Sequence, residues 1–281
     1  MSHVGMRFDW YQASIPVPTD DLVECLTDRI EHESIERAHG QHGYAQTLKL
    51  ISPLGDVAAS IWVPDGHVHT KPNAWASSWR TDAFVQVLRE CFPVHRVSRM
   101  DPCYDVDQFG AFDRLVKAAL EMADARRLKV KHVGDWHRGL DGRTLYVGSA
   151  NSPVRLRIYE KGIELAQKEP HLAEIYSRDL VRVELQVRPQ RAAKSEAASC
   201  SPDAAWGYAS WSQALAQQLA QIDIPRVQQV VWRASDDERS YRWCLRQYGA
   251  MFLRLAQQHG SWDAFARTLW DDCIAARKDK Q

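Results

Sequence analysis

The stretch Val154-Arg155-Leu156-Arg157-Ile158-Tyr159-Glu160-Lys161 and the later stretch Val181-Arg182-Val183-Glu184-Leu185-Gln186-Val187 both alternate apolar with polar side chains. Successive side chains of a strand point to opposite faces of a sheet, so each stretch predicts a strand with one buried and one polar face. On the polar face of the first strand lie Arg155, Arg157, Tyr159 and Lys161. If the two strands are neighbours, Glu184 joins them. A phenol among cations, with a carboxylate nearby, suits chemistry on phosphates.

A third segment, Ser98-Arg99-Met100-Asp101-Pro102-Cys103-Tyr104-Asp105-Val106-Asp107, would place three carboxylates on one face of a strand. Carboxylates this close repel each other unless a cation neutralises them, and oxygen ligands favour magnesium or manganese. The alternative is that these acids are solvated and paired with Arg99 or Arg96. Proline lacks a backbone N–H, so Pro102 predicts that this strand lies at a sheet edge or contains a bulge.

The rest of the chain predicts an α+β protein. Helical spacing is expected at residues 22–30, 81–90 and 112–125, and a hairpin at 44–51 and 57–63. Residues 189–202 are small and polar, which predicts an exposed connection. Apolar residues recur at helical spacing beyond residue 203. We therefore predict a mainly antiparallel sheet with flanking helices in residues 1–190, and a small C-terminal helical module at 203–281.

The charge balance argues against bulk attraction to nucleic acid. The 281 residues include 36 Lys and Arg against 36 Asp and Glu, a formal net charge of zero, so DNA contacts must come from local patches. The strongest local run is Arg126-Arg127-Leu128-Lys129-Val130-Lys131-His132, which could neutralise several phosphates or could be a solvated helix end and loop. The predicted DNA-binding residues are Arg126, Arg127, Lys129, Lys131 and Arg155.

Targeting signals and cysteine patterns place few further constraints. No apolar run reaches the length of a membrane span, and the first residues lack the apolar core of a signal peptide. The six cysteines form no close pair of the kind found in zinc or redox motifs. We expect a cytoplasmic protein with reduced thiols and no membrane partner.

Four motifs, taken in order, resemble the replication initiation factors of rolling-circle plasmids and integrating filamentous phages, and related relaxases share the pattern. They are Arg99-x-Asp101-x-x-x-Asp105, Tyr146-Val147-Gly148-Ser149, Arg157-Ile158-Tyr159-Glu160-Lys161-Gly162 and Arg182-Val183-Glu184-Leu185. The resemblance covers residues 8 to 190 and implies a catalytic domain there. Each motif alone is weak, but four in this order and spacing are fairly specific.

The resemblance implies a rolling-circle initiator that nicks and rejoins one DNA strand at an origin through a covalent 5′-phosphotyrosine. Tyr159 would be the nucleophile, with Arg157 and Lys161 as phosphate clamps. Mg²⁺ or Mn²⁺ would be held by Asp101, Asp105 and Glu184. The implied partners are origin DNA, single-stranded or as supercoiled duplex, together with a host helicase and polymerase, and a homodimer is compatible with the pattern.

Two other functions fit the same residues. A metal-dependent nuclease would use the carboxylates to activate water and leave no protein on the DNA. A catalytically silent regulator of a mobile element would bind the origin without cleaving it. Whether a second tyrosine such as Tyr146 also acts is left open.

Overall fold

The structure is a computed structural model that describes residues 6–139, 141–220 and 236–278. Its described strands form one antiparallel sheet in the order β2-β3-β4-β5-β1-β6-β10-β9-β8-β7. The strands are β1 (Arg7–Ser14), β2 (Ser34–His39), β3 (Gln46–Ile51), β4 (Val57–Val63), β5 (Asn73–Ser77), β6 (Arg96–Asp107), β7 (Val130–Gly134), β8 (Arg143–Val147), β9 (Val154–Glu160) and β10 (Leu180–Val187).

The described helices are α1 (Thr19–Arg29), α2 (Thr81–Cys91), α3 (Ala111–Arg126), α4 (Lys161–Lys168), α5 (Ala193–Glu196), α6 (Pro202–Ala205), α7 (Ser210–Ala220), α8 (Asp236–Gln258) and α9 (Trp262–Lys278). Helices α1 to α7 belong to the same compact unit as the sheet and α8 and α9 to a second unit, and this content of helices and antiparallel strands confirms the predicted α+β class. None of the described helices combines the length and the apolar character that a membrane-spanning segment needs.

The sequence analysis missed β2, β5, β7 and β8, the last a strand of five residues. Strands β2 and β7 form the two edges of the sheet and are almost wholly exposed, so they carry no alternation of buried and polar residues. Strand β5 has only five residues. Strand β7 contains Lys131, so this part of the basic run is a strand and not the loop that the alternative interpretation placed there.

One face of the sheet is the core. Leu156, Ile158, Val183 and Leu185 are fully buried there, as their alternation predicted. Helix α2 packs on this face, where the ring of its Phe84 meets that of Tyr11 on β1. We call the opposite side, which carries Arg157, Tyr159 and Glu184, the polar face. Helix α4 begins two residues after Tyr159, next to the polar face.

Pro102 lies in the middle of the sheet, so of the two predicted alternatives, an edge strand or a bulge, the edge strand was wrong. Strand β6 pairs with both β1 and β10, and the irregularity falls in β1, whose register shifts between Phe8 and Trp10 opposite Pro102. A bulge adds a residue to one strand and re-aims its neighbours. Here the added residue is Asp9, which reaches the polar face.

The segment predicted as an exposed connection is instead folded. Helix α5 and the turn after it bury Ala193, Ala197 and Ala198, and α5 and α6 both contact β6. Small side chains in this segment therefore serve close packing. The chain forms two compact units, residues 1–230 and 231–281. The functional division into 1–190 and 203–281 stays a prediction.

Candidate active site

Two rows of cross-strand neighbours build the site on the polar face. The first, which we call the site row, runs Thr144–Tyr159–Arg182–Asp105 across β8, β9, β10 and β6. The adjacent row runs Tyr146–Arg157–Glu184–Cys103 over the same strands. The Cβ atoms of directly opposed residues lie about 5 Å apart. The sheet thus brings together the tyrosine, both arginines and the glutamate that the alternation had placed on one face.

Tyr159 lies among cations and is 3% exposed. The Arg157 guanidinium carbon is 3.7 Å from its ring centroid, and the Lys161 Nζ is 5.6 Å away. Burial and the negative charge of Glu184 raise the pKa of Tyr159, whereas Arg182 and Arg157 act to lower it. The phenol is therefore neutral at rest, and the arginines are placed to stabilise its anion when a phosphate is bound.

Asp101 and Glu184 are two buried carboxylates that oppose each other's ionisation. Burial raises the pKa of Asp101 to about 6, although Arg99 donates Nε to its Oδ1 at 3.0 Å. Burial, followed by the charge of Asp101, raises the pKa of Glu184 to about 8, against the opposing effect of Arg157. A cation bound near two buried carboxylates stabilises their ionised forms, and carboxylate oxygens suit a hard divalent ion.

Asp105 is already paired. It accepts hydrogen bonds from Arg182 Nε at 2.6 Å, Arg182 Nη2 at 2.8 Å and Arg7 Nη2 at 2.8 Å. Burial disfavours its charge, but these guanidinium groups outweigh burial and hold the pKa of Asp105 below its usual value. Its predicted role as a metal ligand stays a prediction. Within the described parts of the chain, no three His, Cys, Asp or Glu side chains are grouped closely enough to enclose a metal ion.

Sequence reasoning missed three charged residues of the site. Asp9, in the β1 bulge, accepts a hydrogen bond from Arg182 Nη1 at 2.6 Å, and Arg7 lies opposite Cys103. Glu164 on α4 pairs with Lys161 Nζ at 2.7 Å and lies 3.8 Å from Arg157 Nη2. The spacing of three between Lys161 and Glu164 was a usable signal, because such residues meet on a helix. The bulge at Asp9 left no comparable trace.

Several polar atoms of the site are buried without a hydrogen-bond partner among the described residues. They are Arg155 Nε, Arg157 Nε and Glu184 Oε2. Arg157 Nη1 and Glu184 Oε2 form an ion pair at 3.6 Å, too long for a hydrogen bond. Buried polar groups are costly to leave unpaired, so these atoms mark a place prepared for a polar ligand.

The predicted DNA-binding residues fall in two places. Lys131 lies opposite Tyr146 on the polar face, and Arg155 stacks on the Tyr146 ring at 3.9 Å. Arg126 ends α3, and Arg127 caps that helix in a left-handed conformation with φ 51°. Lys129 follows and is exposed. The sheet therefore brings Lys131 and Arg155 to the site, whereas Arg126 and Arg127 belong to the end of a helix.

Comparison with known proteins identifies a family for the part of the chain that holds the site. Residues 99–201 match the family model described as replication initiation factor. The fold is similar to that of a rolling circle replication initiator protein from Geobacillus stearothermophilus, with a TM-score of 0.51 and 14% identity, over 79% of this chain and 98% of that chain. No curated protein sequence matches. The segment that contains Asp101, Tyr159 and Glu184 thus matches the replication initiation factor family, which confirms the resemblance that its motifs predicted.

Proposed function

We propose that this protein initiates rolling-circle replication by nicking and rejoining one strand of origin DNA, with Tyr159 as the nucleophile. The observation that carries the proposal is the site row. Together with the adjacent row it holds a phenol near Arg157 and Arg182, and close by lie the buried carboxylates Asp101 and Glu184 and buried polar atoms without a hydrogen-bond partner among the described residues. Cations next to a phenol stabilise its anion and can hold a phosphate at the same time.

In the proposed step the Tyr159 oxygen attacks the phosphorus of the scissile phosphodiester. The bond from phosphorus to the 3′ oxygen breaks, the phenol gives up its proton, and the leaving oxygen takes one to become a 3′-hydroxyl. The 5′ end remains attached as phosphotyrosine, and attack by a 3′-hydroxyl reverses the reaction. Arg157 and Lys161, which lie beside the Tyr159 ring, would bind the phosphate oxygens.

Asp101 and Glu184 fit a divalent cation. Magnesium is commonly held by one or two carboxylates together with substrate phosphates, so a cage of three side chains is not needed. Glu184 Oε2 is buried and has no hydrogen-bond partner among the described residues, which leaves it available as a ligand. Bound there, Mg²⁺ or Mn²⁺ would withdraw charge from the phosphate. Asp105, occupied by Arg182 and Arg7, would position Arg182.

The test is a plasmid-relaxation assay on supercoiled DNA that carries the gene and its flanks, with magnesium or manganese. The wild type should give relaxed DNA with covalently attached protein, and Tyr159→Phe should give neither. Tyr146→Phe is the matched control, because Tyr146 is a second tyrosine of the polar face that also lies under an arginine. We expect it to form the adduct.

The remaining outcomes separate the alternatives. Nicking without an adduct, unchanged in Tyr159→Phe, would contradict the proposal and favour a nuclease that activates water. Origin binding without cleavage in any metal would favour a silent regulator. In the proposed role, a host polymerase and helicase would act from the 3′-hydroxyl, and the protein would work in the cytoplasm.

A further inference from the structure

An aromatic stack lies on the polar face next to the site. Trp10 on β1 and Trp75 on β5 are stacked with ring centroids 4.4 Å apart and planes at 12°. The Arg99 guanidinium carbon lies 4.7 Å from the Trp10 ring. Both indoles are half-buried, although polar-face positions ordinarily hold hydrophilic side chains. We call Trp10 and Trp75 the tryptophan pair.

The tryptophan pair is continuous with the carboxylates of the site. Trp10 lies directly opposite Asp101 in the β1–β6 ladder. Arg99 joins the two features, because it stacks on Trp10 and forms an ion pair with Asp101. From β1 the Tyr159 strand is three strands away, about 14 Å at about 4.8 Å per strand. A few nucleotides span that distance.

The Trp75 indole has a ring face and an N–H group that could bind a ligand. Within the described residues its ring has Trp10 as its sole ring or cation partner, and its Nε1 is buried without a hydrogen bond. Ser60 lies beside it on β4, and next to Ser60 on β3 lies Lys49, a half-buried lysine without an ion partner in the described part of the chain. Glu36 lies opposite Lys49 on β2 but forms no ion pair with it among the described residues, so the lysine can bind a phosphate while the indole face binds a base.

We propose that the tryptophan pair, with Lys49, binds single-stranded DNA next to the nick by stacking on its bases, an inference that rests on the proposed nicking function. Proteins that hold single strands without reading sequence combine aromatic platforms with cations along the backbone. Opening the origin exposes bases on the strand to be cleaved. The pair would hold that strand across the polar face while its phosphate lies at Tyr159.

The test measures binding of a fluorescein-labelled oligothymidine of about 16 nucleotides, which covers the site size of typical single-strand binding folds. Trp75→Leu should weaken binding about 5- to 150-fold, the range expected for one lost stack. Trp75→Phe keeps an aromatic face and should retain most of the affinity. Trp270→Leu, which removes an exposed indole of α9, is the control and should bind as the wild type does.

Lys49→Gln provides a second measurement that does not alter the stack. It should reduce the slope of log affinity against log salt by about 0.7, the value for one phosphate contact to a single strand. Thermal melts of every variant check that the fold is kept. Wild-type affinity in a folded Trp75→Leu protein would overturn the inference, as would an equal loss in Trp270→Leu.

The failure of this inference is distinguishable from the failure of the proposed function. The Tyr159→Phe protein should bind the oligonucleotide normally while forming no adduct. Loss of binding in Trp75→Leu, with no nicking by the wild type, would support the tryptophan pair and contradict the nickase. Nicking by the wild type with normal binding by Trp75→Leu would do the reverse.

Discussion

The two halves of the sheet, β1–β5 and β6–β10, have the same plan and different chemistry. In each half the first strand lies at the centre, the last strand lies beside it, and the other three continue outwards in reverse order. A helix follows the first strand in both, α1 in one half and α3 in the other. The second half differs in having α4 between its last two strands, where the first half has a loop.

The correspondence extends to the pairing register. Strand β4 ends Ile61-Trp62-Val63 where β9 ends Ile158-Tyr159-Glu160. The row through Trp62 is Thr47–Trp62–Asn73–Ser14, and it is the counterpart of Thr144–Tyr159–Arg182–Asp105. We call it the counterpart row. Both rows begin with a threonine. They differ at the next three positions, where the site row has Tyr, Arg and Asp and the counterpart row has Trp, Asn and Ser.

The difference between the rows is one of charge. In the counterpart row, Asn73 donates to Ser14 Oγ at 3.1 Å and accepts from Gln12 at 2.8 Å, so neutral groups satisfy each other. In the site row, Arg182 is held between Asp105 and Asp9. The same backbone therefore supports a neutral network in one half and a charged network in the other. The comparison indicates that the charged neighbours of Tyr159, rather than the backbone arrangement, distinguish the candidate active site from the counterpart row.

Moving the tyrosine between halves is the strongest way to break this comparison. The double variant Trp62→Tyr with Tyr159→Phe places a phenol in the counterpart row. Because that row lacks arginine and carboxylate neighbours, covalent adduct formation should remain at least about 10³-fold below the wild type. The measurement is adduct formation on supercoiled origin DNA. An adduct at residue 62 would show that the sheet alone activates a tyrosine.

A second experiment compares the central residues of the two rows. Arg182→Gln removes a buried cation and leaves the half-buried carboxylates Asp105 and Asp9 without their shared partner, so it should lower the free energy of unfolding by about 3 kcal/mol. Asn73→Ala loses neutral hydrogen bonds and should cost about 1–2 kcal/mol. Urea unfolding measures both. Equal costs would contradict the proposed difference in charge between the rows.

The pH dependence of stability tests the carboxylates. With a chelator, Glu184 has a folded pKa of about 8 against 4.5 in the unfolded chain, so the folded state keeps a proton that the unfolded chain has lost. Stability should therefore fall as pH rises from about 5 to about 8, by a few kcal/mol at about 1.4 kcal/mol per pKa unit. Asp101 adds to the fall over the lower part of that range.

Two additions sharpen this measurement. Glu184→Gln should flatten the slope above about pH 6, because the remaining acid, Asp101, titrates near that value. Divalent metal should restore stability most at the upper end of the range, where both carboxylates are charged. A slope in the chelator that Glu184→Gln does not change would contradict the assignment. Trp75 holds the place in the first half that Glu184 holds in the second half, and an indole has no group that titrates in this pH range.

Alternation of side chains predicted β9, β10 and the face they share, because a strand with one buried side has a period of two. The pairing of β9 with β10 also set Tyr159 opposite Arg182. Three features needed tertiary information. The edge strand β2 has no buried face, the bulge at Asp9 depends on a proline in a neighbouring strand, and the resemblance between the halves appears only when Trp62 and Tyr159 are compared by position in the sheet.

The smallest expected effect concerns the two edges. Lys131 on β7 and Glu36 on β2 hold corresponding places, opposite Tyr146 and Lys49 respectively. If origin DNA crosses the second half, Lys131→Ala should reduce the slope of log affinity against log salt by about one. Glu36→Ala removes an acid that lies opposite Lys49, so it should not reduce that slope and serves as the matched control. Equal changes would mean that general charge governs DNA binding, whereas a loss confined to Lys131 places the duplex on the half that contains Tyr159.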